Sequence, residues 1–368
     1  MNVGVDSVMD QLFERPQFSI DQDEKSRLLA AEMSDLVRHH RAGSADYARI
    51  CDVLGVPDHF DDLAQVPYLP VSLFKTHELR SVPDDEVFKV MTSSGTTGQA
   101  VSRVVLDRET AGLQSKALST IMRRVIGNQR LPMIIIDTPN VIKDRKMFSA
   151  RGAGLLGMMP FGRNHFYALD DDMRLDVDGL QEFLRDRKPG PVLVFGFTFM
   201  VWKYFLSALA ESGTTIDLSG GVLVHSGGWK KLVEEAVGNA QFKATAAELT
   251  GLTRVHNFYG MVEQVGSVFL EGDDGFLYPP NFADVIIRDP ETWLPAENGT
   301  PGVVEVLSVL PRSYPGHALL TEDLGVVHGI GTAESGWSGK QLEIIGRVPR
   351  SELRGCSDTH AFDTGRSA

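Results

Sequence analysis

The strongest chemical signal in the chain is a run of small polar residues, Thr92-Ser93-Ser94-Gly95-Thr96-Thr97-Gly98. Four hydroxyl side chains and Gly95 fall between Ser93 and Thr97, and Gly98 follows. Such a loop presents hydroxyls and backbone N–H groups to an anion, and its glycines let the backbone approach closely. A triphosphate suits it. The loop is not of the GxxxxGK[ST] kind, because Gln99 stands where that pattern needs Lys. Most stretches of this composition are solvated linkers. The strand and helix directly behind this one favour phosphate binding.

Two cysteines are present, Cys51 and Cys356, and neither has a CxxC or Cys/His metal spacing. Cys51 lies beside Ile50, Val53 and Leu54 and reads as packing. Cys356 sits in a polar tail shortly after Arg350 and Arg354, cations that favour a thiolate. An isolated thiol near a terminus is otherwise usually incidental. His165, His225 and His256 do not pair at metal-ligand spacing; His256 either lines a site or is a satisfied structural histidine. Residues 154–161 (GLLGMMPF) and 195–204 (FGFTFMVWKY) carry apolar side chains among small glycines. They are either core or the walls of a pocket for an apolar acid.

The hydroxyl loop resembles the phosphate loop of the adenylate-forming superfamily, and further motifs follow in the same order. Asn257-Phe258-Tyr259-Gly260-Met261-Val262-Glu263 resembles NxYGxTE, Thr321-Glu322-Asp323 resembles TGD, and Gly346-Arg347 resembles the Gly-Arg hinge. Val262 and Gln99 depart from the usual residues. The chain ends shortly after Arg347, so the family's small C-terminal domain, with its catalytic Lys, is expected to be absent. That feature is similar to one branch, the bacterial acyl-protein synthetases or long-chain-fatty-acid–luciferin-component ligases, relatives of phenylacetate–CoA ligases. His225-Ser226-Gly227-Gly228-Trp229-Lys230-Lys231 resembles the branch's GGWK segment. Tyr259–Ser267 resembles YGxVEQxGS, and Leu353-Arg354-Gly355-Cys356-Ser357 resembles its terminal LRGCS. The resemblance spans roughly residues 90–358.

The resemblance implies ATP and Mg2+ as cofactors. Ser93, Ser94, Gly95, Thr96, Thr97 and Gly98 would hold phosphates. Gly227, Gly228 and Trp229 would lie on the adenine side, with Tyr259 and Gly260 beside them. Glu263 would ligate magnesium, and Asp323 and Arg347 would hold the ribose. A carboxylate attacking the α-phosphate gives acyl-AMP and pyrophosphate; the Cys356 thiolate then takes the acyl group and releases AMP. The acceptor beyond it would be an acyl reductase, an acyl carrier protein or CoA. Lys230, Lys231, Arg103 and Lys143 are candidates to replace the absent Lys, and the sequence selects none of them. The alternatives are an acyl- or aryl-CoA ligase in which Cys356 is incidental, and a non-catalytic nucleotide-binding module.

The elements that must position these residues read as α/β. Residues 1–90 are helical, with an apolar face at Leu28, Leu29, Met33, Leu36 and Val37. Val101–Leu106 reads as a strand and Asp107 as the cap of the helix behind it. Met133–Asp137, Val192–Phe195 and Val222–His225 are short apolar runs separated by helix-like segments, one of them 199–210. That alternation predicts a mostly parallel sheet flanked by helices. Residues 281–345 read as a small antiparallel, β-barrel-like subdomain, between a 91–280 nucleotide- and acyl-binding core and a 346–368 hinge and tail. The resemblance names this fold as the large domain of an acyl-CoA synthetase-like enzyme.

Composition sets outer limits. The chain has 368 residues and a formal net charge of -13. That balance opposes nucleic acid as a partner. The acidic N-terminus does not read as a signal peptide, and no stretch is long and apolar enough for a membrane span. A reducing cytoplasm is the expected compartment.

Overall fold

The computed structural model describes residues 7–93, 101–143, 150–229 and 236–348. Most strands belong to one sheet of twelve, accompanied by a separate two-stranded hairpin. One half of the sheet is parallel, in the order Gly162–Tyr167, Leu131–Ile135, Leu193–Phe197, Val222–Ser226 and Val255–Tyr259. The apolar runs form its centre because both faces are covered. Met133, Ile135, Leu193, Phe195, Val222 and Val224 point into one core, whereas Ile134, Val194 and Leu223 point into the other. Helix Arg108–Ile126 supplies Ala117, Ile121 and Met122 to the first core; helix Asn239–Thr250 supplies Phe242 and Ala246 to the second. Asp107 caps the former as expected, accepting from the Thr110 N–H at 2.7 Å.

The strand order reverses direction once in this half. From Leu131–Ile135 the chain goes to Gly162–Tyr167 on one side, then returns to Leu193–Phe197 on the other. The gap between the C-terminal ends of strands Leu131–Ile135 and Leu193–Phe197 is therefore a topological switch point, where open α/β sheets bind ligands. Past Leu193–Phe197 the expected helix over 199–210 is interrupted. Thr198–Met200 and Ser207–Ser212 flank a π-helical stretch, Val201–Leu206. Helical periodicity in the sequence does not reveal the extra residue per turn.

From Val255–Tyr259 the sheet continues antiparallel through Phe269–Glu271, Leu277–Tyr278, Ser338–Arg347, Ala318–Thr332, Gly302–Ser308 and Ala283–Arg288. The antiparallel pairing expected after residue 281 is present, and these strands are hydrogen-bonded into the same sheet as the parallel ones. Residues 7–90 contribute helices Val8–Glu14, Gln22–Gly43 and Ala45–Leu54. Leu29, Met33, Leu36 and Val37 are buried on one face of the second, as their spacing predicts. The same region adds Leu69–Pro70 as a parallel partner of Leu319–Leu320. Among the described residues no helix is long and apolar enough to cross a membrane.

Candidate nucleotide and acid site

The hairpin of Lys89–Thr92 and Arg103–Leu106 carries the hydroxyl loop. Beyond the last pair, Thr92 with Arg103, the stalk is clamped again. The Ser93 N–H donates to the Ser102 carbonyl at 3.1 Å, and the Ser102 N–H donates to Ser93 Oγ at 2.9 Å. The loop between them is thus closed at its base. Ser94, Gly95, Thr96, Thr97 and Gly98 lie outside the described residues, as do Lys230, Lys231 and Cys356.

Strand Val255–Tyr259 delivers Tyr259 to the end of the sheet. Its Oη donates to Asp323 Oδ2 at 2.8 Å. Asp323 stands opposite Arg347 in the pairing of Ala318–Thr332 with Ser338–Arg347, and Arg347 Nε lies 3.4 Å from Asp323 Oδ1. Thr321 Oγ1 donates to the Val304 carbonyl at 2.8 Å and accepts the Asp323 N–H at 3.1 Å, which fixes the backbone beneath the acid. Burial, and then the neighbouring Asp323 carboxylate, hold the Tyr259 phenol well above its ordinary range. A carboxylate has about four acceptor sites, so Asp323 keeps capacity for further donors such as sugar hydroxyls.

Glu263 lies in the short turn Val262–Gln264 and is 6 % exposed. Tyr314 Oη donates to its carbonyl at 2.8 Å, and Gln264 Nε2 donates to the Gly316 carbonyl at 2.8 Å. Gly266, at φ 89°, lets the following chain pass Gln114; a Cβ there would meet the Gln114 carbonyl oxygen at 2.8 Å. Burial pushes the Glu263 carboxyl up, and the Ser102 hydroxyl and the Lys75 ammonium draw it partly back. Ser102 Oγ is itself buried without a hydrogen-bond partner in regular geometry. Two groups of charge result: Tyr259, Asp323 and Arg347 on one side, and Glu263, Lys75 and Glu322 at the base of the hydroxyl loop.

Gly227 and Gly228 leave the Val222–Ser226 strand at its C-terminal end, both exposed, with Gly227 at φ 85°. A Cβ on Gly227 would lie 3.3 Å from Phe197 Cδ1. Trp229 is half-buried and meets Trp202 edge-on, with ring centroids 6.1 Å apart. On the adjacent strand Asn257 stands in register with His225. Its Oδ1 is buried with no partner, an acceptor suited to an amino group such as that of adenine. Each of the three histidines holds one hydrogen bond through a ring nitrogen, and His225 Nε2 is buried without one. His225 Nδ1 pairs with Thr198 Oγ1 at 2.9 Å, and burial lowers the ring to about 3. His256 Nδ1 pairs with the Glu271 carbonyl at 2.8 Å, and burial lowers that ring to about 4. His165 Nε2 meets the Met159 carbonyl at 3.0 Å. Cys51 is buried, and burial pushes its thiol up, in keeping with packing.

At the switch point the two apolar segments divide. Phe195, Met200 and Val201 are core. Phe197 is only partly buried and lies against helix Ala150–Met158, where a Cβ on Gly154 would be 3.0 Å from its ring. The same crevice holds Asp137, 1 % exposed, whose Oδ2 is 3.1 Å from Arg151 Nε. Burial raises the Asp137 carboxyl; the Thr138 N–H and Arg151 draw it back. Neither Asp137 nor Arg151 stands out in the sequence, because each is a single charge in an apolar run.

No group of three or more His, Cys, Asp or Glu among the described residues could form a metal cage. Magnesium needs none, since it commonly takes one or two carboxylates and completes its shell with phosphate oxygens and water. The buried Glu263 carboxylate is of the type that requirement asks for.

The family model described as "Acyl-protein synthetase, LuxE" matches residues 2–362. The chain belongs to this family. It is 25 % identical over 354 residues to the long-chain-fatty-acid–luciferin-component ligase of Vibrio harveyi, covering 91 % of this chain and 87 % of that one. The ligase of the same description from Aliivibrio fischeri is 24 % identical over 328 residues, covering 86 % and 84 %. Among solved structures, 2-hydroxyisobutyryl-CoA ligase in an open conformation with 2-HIB-AMP and CoA superimposes with a TM-score of 0.69. That match has 17 % identity and covers 90 % of this chain and 77 % of that one. This acyl-protein synthetase therefore has the fold of the adenylate-forming CoA ligases. Its family activates acids through acyl-AMP, and it is an ATP-using ligase of that kind.

Proposed function

We propose that this acyl-protein synthetase binds MgATP between the base of the hydroxyl loop and the Tyr259–Asp323–Arg347 group. It activates an apolar carboxylic acid there and passes the acyl group to Cys356. The observation that supports the reading most is the buried Glu263 carboxyl beside Ser102, whose backbone is clamped to Ser93, together with the Tyr259–Asp323–Arg347 group. Asp323 and Arg347 orient the ribose, and the unpaired Asn257 Oδ1 accepts from the adenine amino group. Magnesium, when bound at Glu263, would neutralise charge on the phosphates. The hydroxyl loop, Ser93 to Gly98, cradles the β- and γ-phosphates. Phe197 and the glycine-bearing helix Ala150–Met158 wall the acid.

In the first step a carboxylate oxygen bonds to the α-phosphorus and pyrophosphate leaves. In the second the Cys356 thiolate bonds to the acyl carbon and AMP leaves. The thioester then passes to a partner, an acyl reductase, an acyl carrier protein or CoA. Intact-mass spectrometry after incubation with MgATP and a mixed set of carboxylic acids tests this. One acyl mass should appear and disappear in Cys356→Ala, while pyrophosphate exchange persists. Acylation surviving in that variant removes Cys356 from the reaction; absence of exchange in the wild type removes the whole reading.

A further inference from the structure

Lys75 has no role in the motifs read from the sequence, yet the fold fixes it at the site. Leu69–Pro70 pairs in parallel with Leu319–Leu320, and the Val71 N–H donates to the Leu320 carbonyl at 2.9 Å. The next turn, Leu73–Thr76, therefore starts beside the strand that bears Glu322 and Asp323. Phe74 anchors the turn: it is 1 % exposed and meets the Tyr314 ring edge-on at 6.0 Å, the same Tyr314 that holds the Glu263 carbonyl. Lys75 is left with its stem partly covered and Nζ 3.0 Å from Glu322 Oε1.

The charges around it are unbalanced for a polyanion. Glu263 and Glu322 are carboxylates on the proposed phosphate side, and Asp323 is one on the proposed ribose side. Among the described residues the salt bridges to this trio come from Lys75 and Arg347. Arg347 pairs with Asp323 on the proposed ribose side. Lys75, bonded to Glu322, also acts with Ser102 on the Glu263 carboxyl, so it stands toward the stalk of the hydroxyl loop. Its pair with Glu322 is half-exposed, and pairs of that kind are weak and readily exchanged. A lysine ammonium on a flexible stem is a point charge well suited to a phosphate oxygen.

We propose that Lys75 binds the β,γ end of the triphosphate, leaving Glu322 for a phosphate oxygen when MgATP enters. This inference rests on the proposed ATP site. Lys75 is then the cation, supplied from the N-terminal region, that holds the leaving pyrophosphate while the acid attacks the α-phosphorus.

Equilibrium titration of the full chain with MgATP and, separately, with AMP tests it in the wild type, Lys75→Met, Lys75→Arg and Glu322→Gln. Lys75→Met keeps the apolar stem, and a thermal melt checks that the fold is intact. It should weaken MgATP by about 10- to 100-fold, or ~1.4 to 2.8 kcal/mol at 1.4 kcal/mol per decade, and change AMP by less than about threefold. Lys75→Arg should recover most of the loss. Glu322→Gln should tighten MgATP, because the competing carboxylate is gone. Unchanged MgATP affinity in Lys75→Met overturns the proposal. So does an equal loss for AMP, or a weakening by Glu322→Gln as large as that of Lys75→Met, since either marks the ion pair as a structural brace. A wild type that binds neither nucleotide defeats the ATP site itself, and this inference with it.

Discussion

Tyr259 and Asp323 are 64 residues apart in sequence and joined by a 2.8 Å hydrogen bond at the edge of the site. The bond links the end of the parallel half of the sheet to its antiparallel half. It also fixes the rotamer of the acid that is proposed to hold the ribose. Asp323→Asn should therefore lower MgATP affinity by ~10-fold or more, the range for hydrogen bonds to a charged group. Tyr259→Phe should cost less, because it loosens Asp323 without removing it. The double variant should be no worse than Asp323→Asn, as expected of coupled residues. Titration of all three with MgATP checks this; additive losses would show that the two residues act separately.

Tyr314 supports Glu263 from below by donating to its carbonyl. Tyr314→Phe leaves that carbonyl short of a partner in a buried place, which costs ~1 to 3 kcal/mol of stability. The turn bearing the Glu263 carboxylate should also loosen. The expected signature is a raised magnesium requirement in pyrophosphate exchange, with the affinity for AMP retained. Glu263→Gln should abolish exchange at any magnesium concentration and melt close to the wild type. If Tyr314→Phe alters stability alone, the turn does not need this support.

The parallel half was readable because its strands are continuous apolar runs. Val222–Ser226 and Leu193–Phe197 differ from the expected segments by only one or two residues. Asp107 was readable because a cap is a local event. Tyr259, Glu263, Asp323 and Arg347 were found through motif order, and three of them meet directly through hydrogen-bonded or ion-paired side chains. Lys75 and Ser102 were not. Lys75 reaches the site only through the pairing of Leu69–Pro70 with Leu319–Leu320, some 250 residues away, which no local pattern encodes. Ser102 gains its meaning from burial against Glu263. Asp137 and Arg151 depend in the same way on the strand order that opens the switch-point crevice.

Gly227 needs its left-handed backbone, and a side chain there would press on Phe197. Gly227→Ala should cost ~1 kcal/mol from φ alone. It should also displace Phe197, which lies between the adenine segment and the acid pocket, so nucleotide and acid binding should both weaken. Gly228→Ala has open space around it and is expected to leave stability unchanged within ~0.5 kcal/mol. Urea melts of the two variants, with acid and MgATP titrations, separate the cases. Equal behaviour of the two would mean that the Phe197 contact is unimportant.

Four shielded histidines, His40, His225, His256 and His317, make the fold less stable as pH falls. Burial lowers His225 and His317 to about 3 and His256 to about 4, against an ordinary 6.5. In the unfolded chain each takes up a proton as pH falls through 6.5, whereas in the folded chain each stays neutral. Their contribution is therefore complete above pH 6.5 and is lost as pH falls toward these lowered values. Each such histidine steepens the loss by ~1.4 kcal/mol per pH unit once it is protonated in the unfolded state and still neutral in the folded one. His317 has Nε2 3.1 Å from Tyr47 Oη and lies 5.0 Å from the His40 ring. Urea unfolding at pH 7, 6 and 5 should show a steep decline in the wild type. In His317→Gln the decline should be smaller by ~1 to 2 kcal/mol between pH 7 and 5. A flat wild-type profile, or an unchanged slope in the variant, would mean that these rings are protonated in the folded protein.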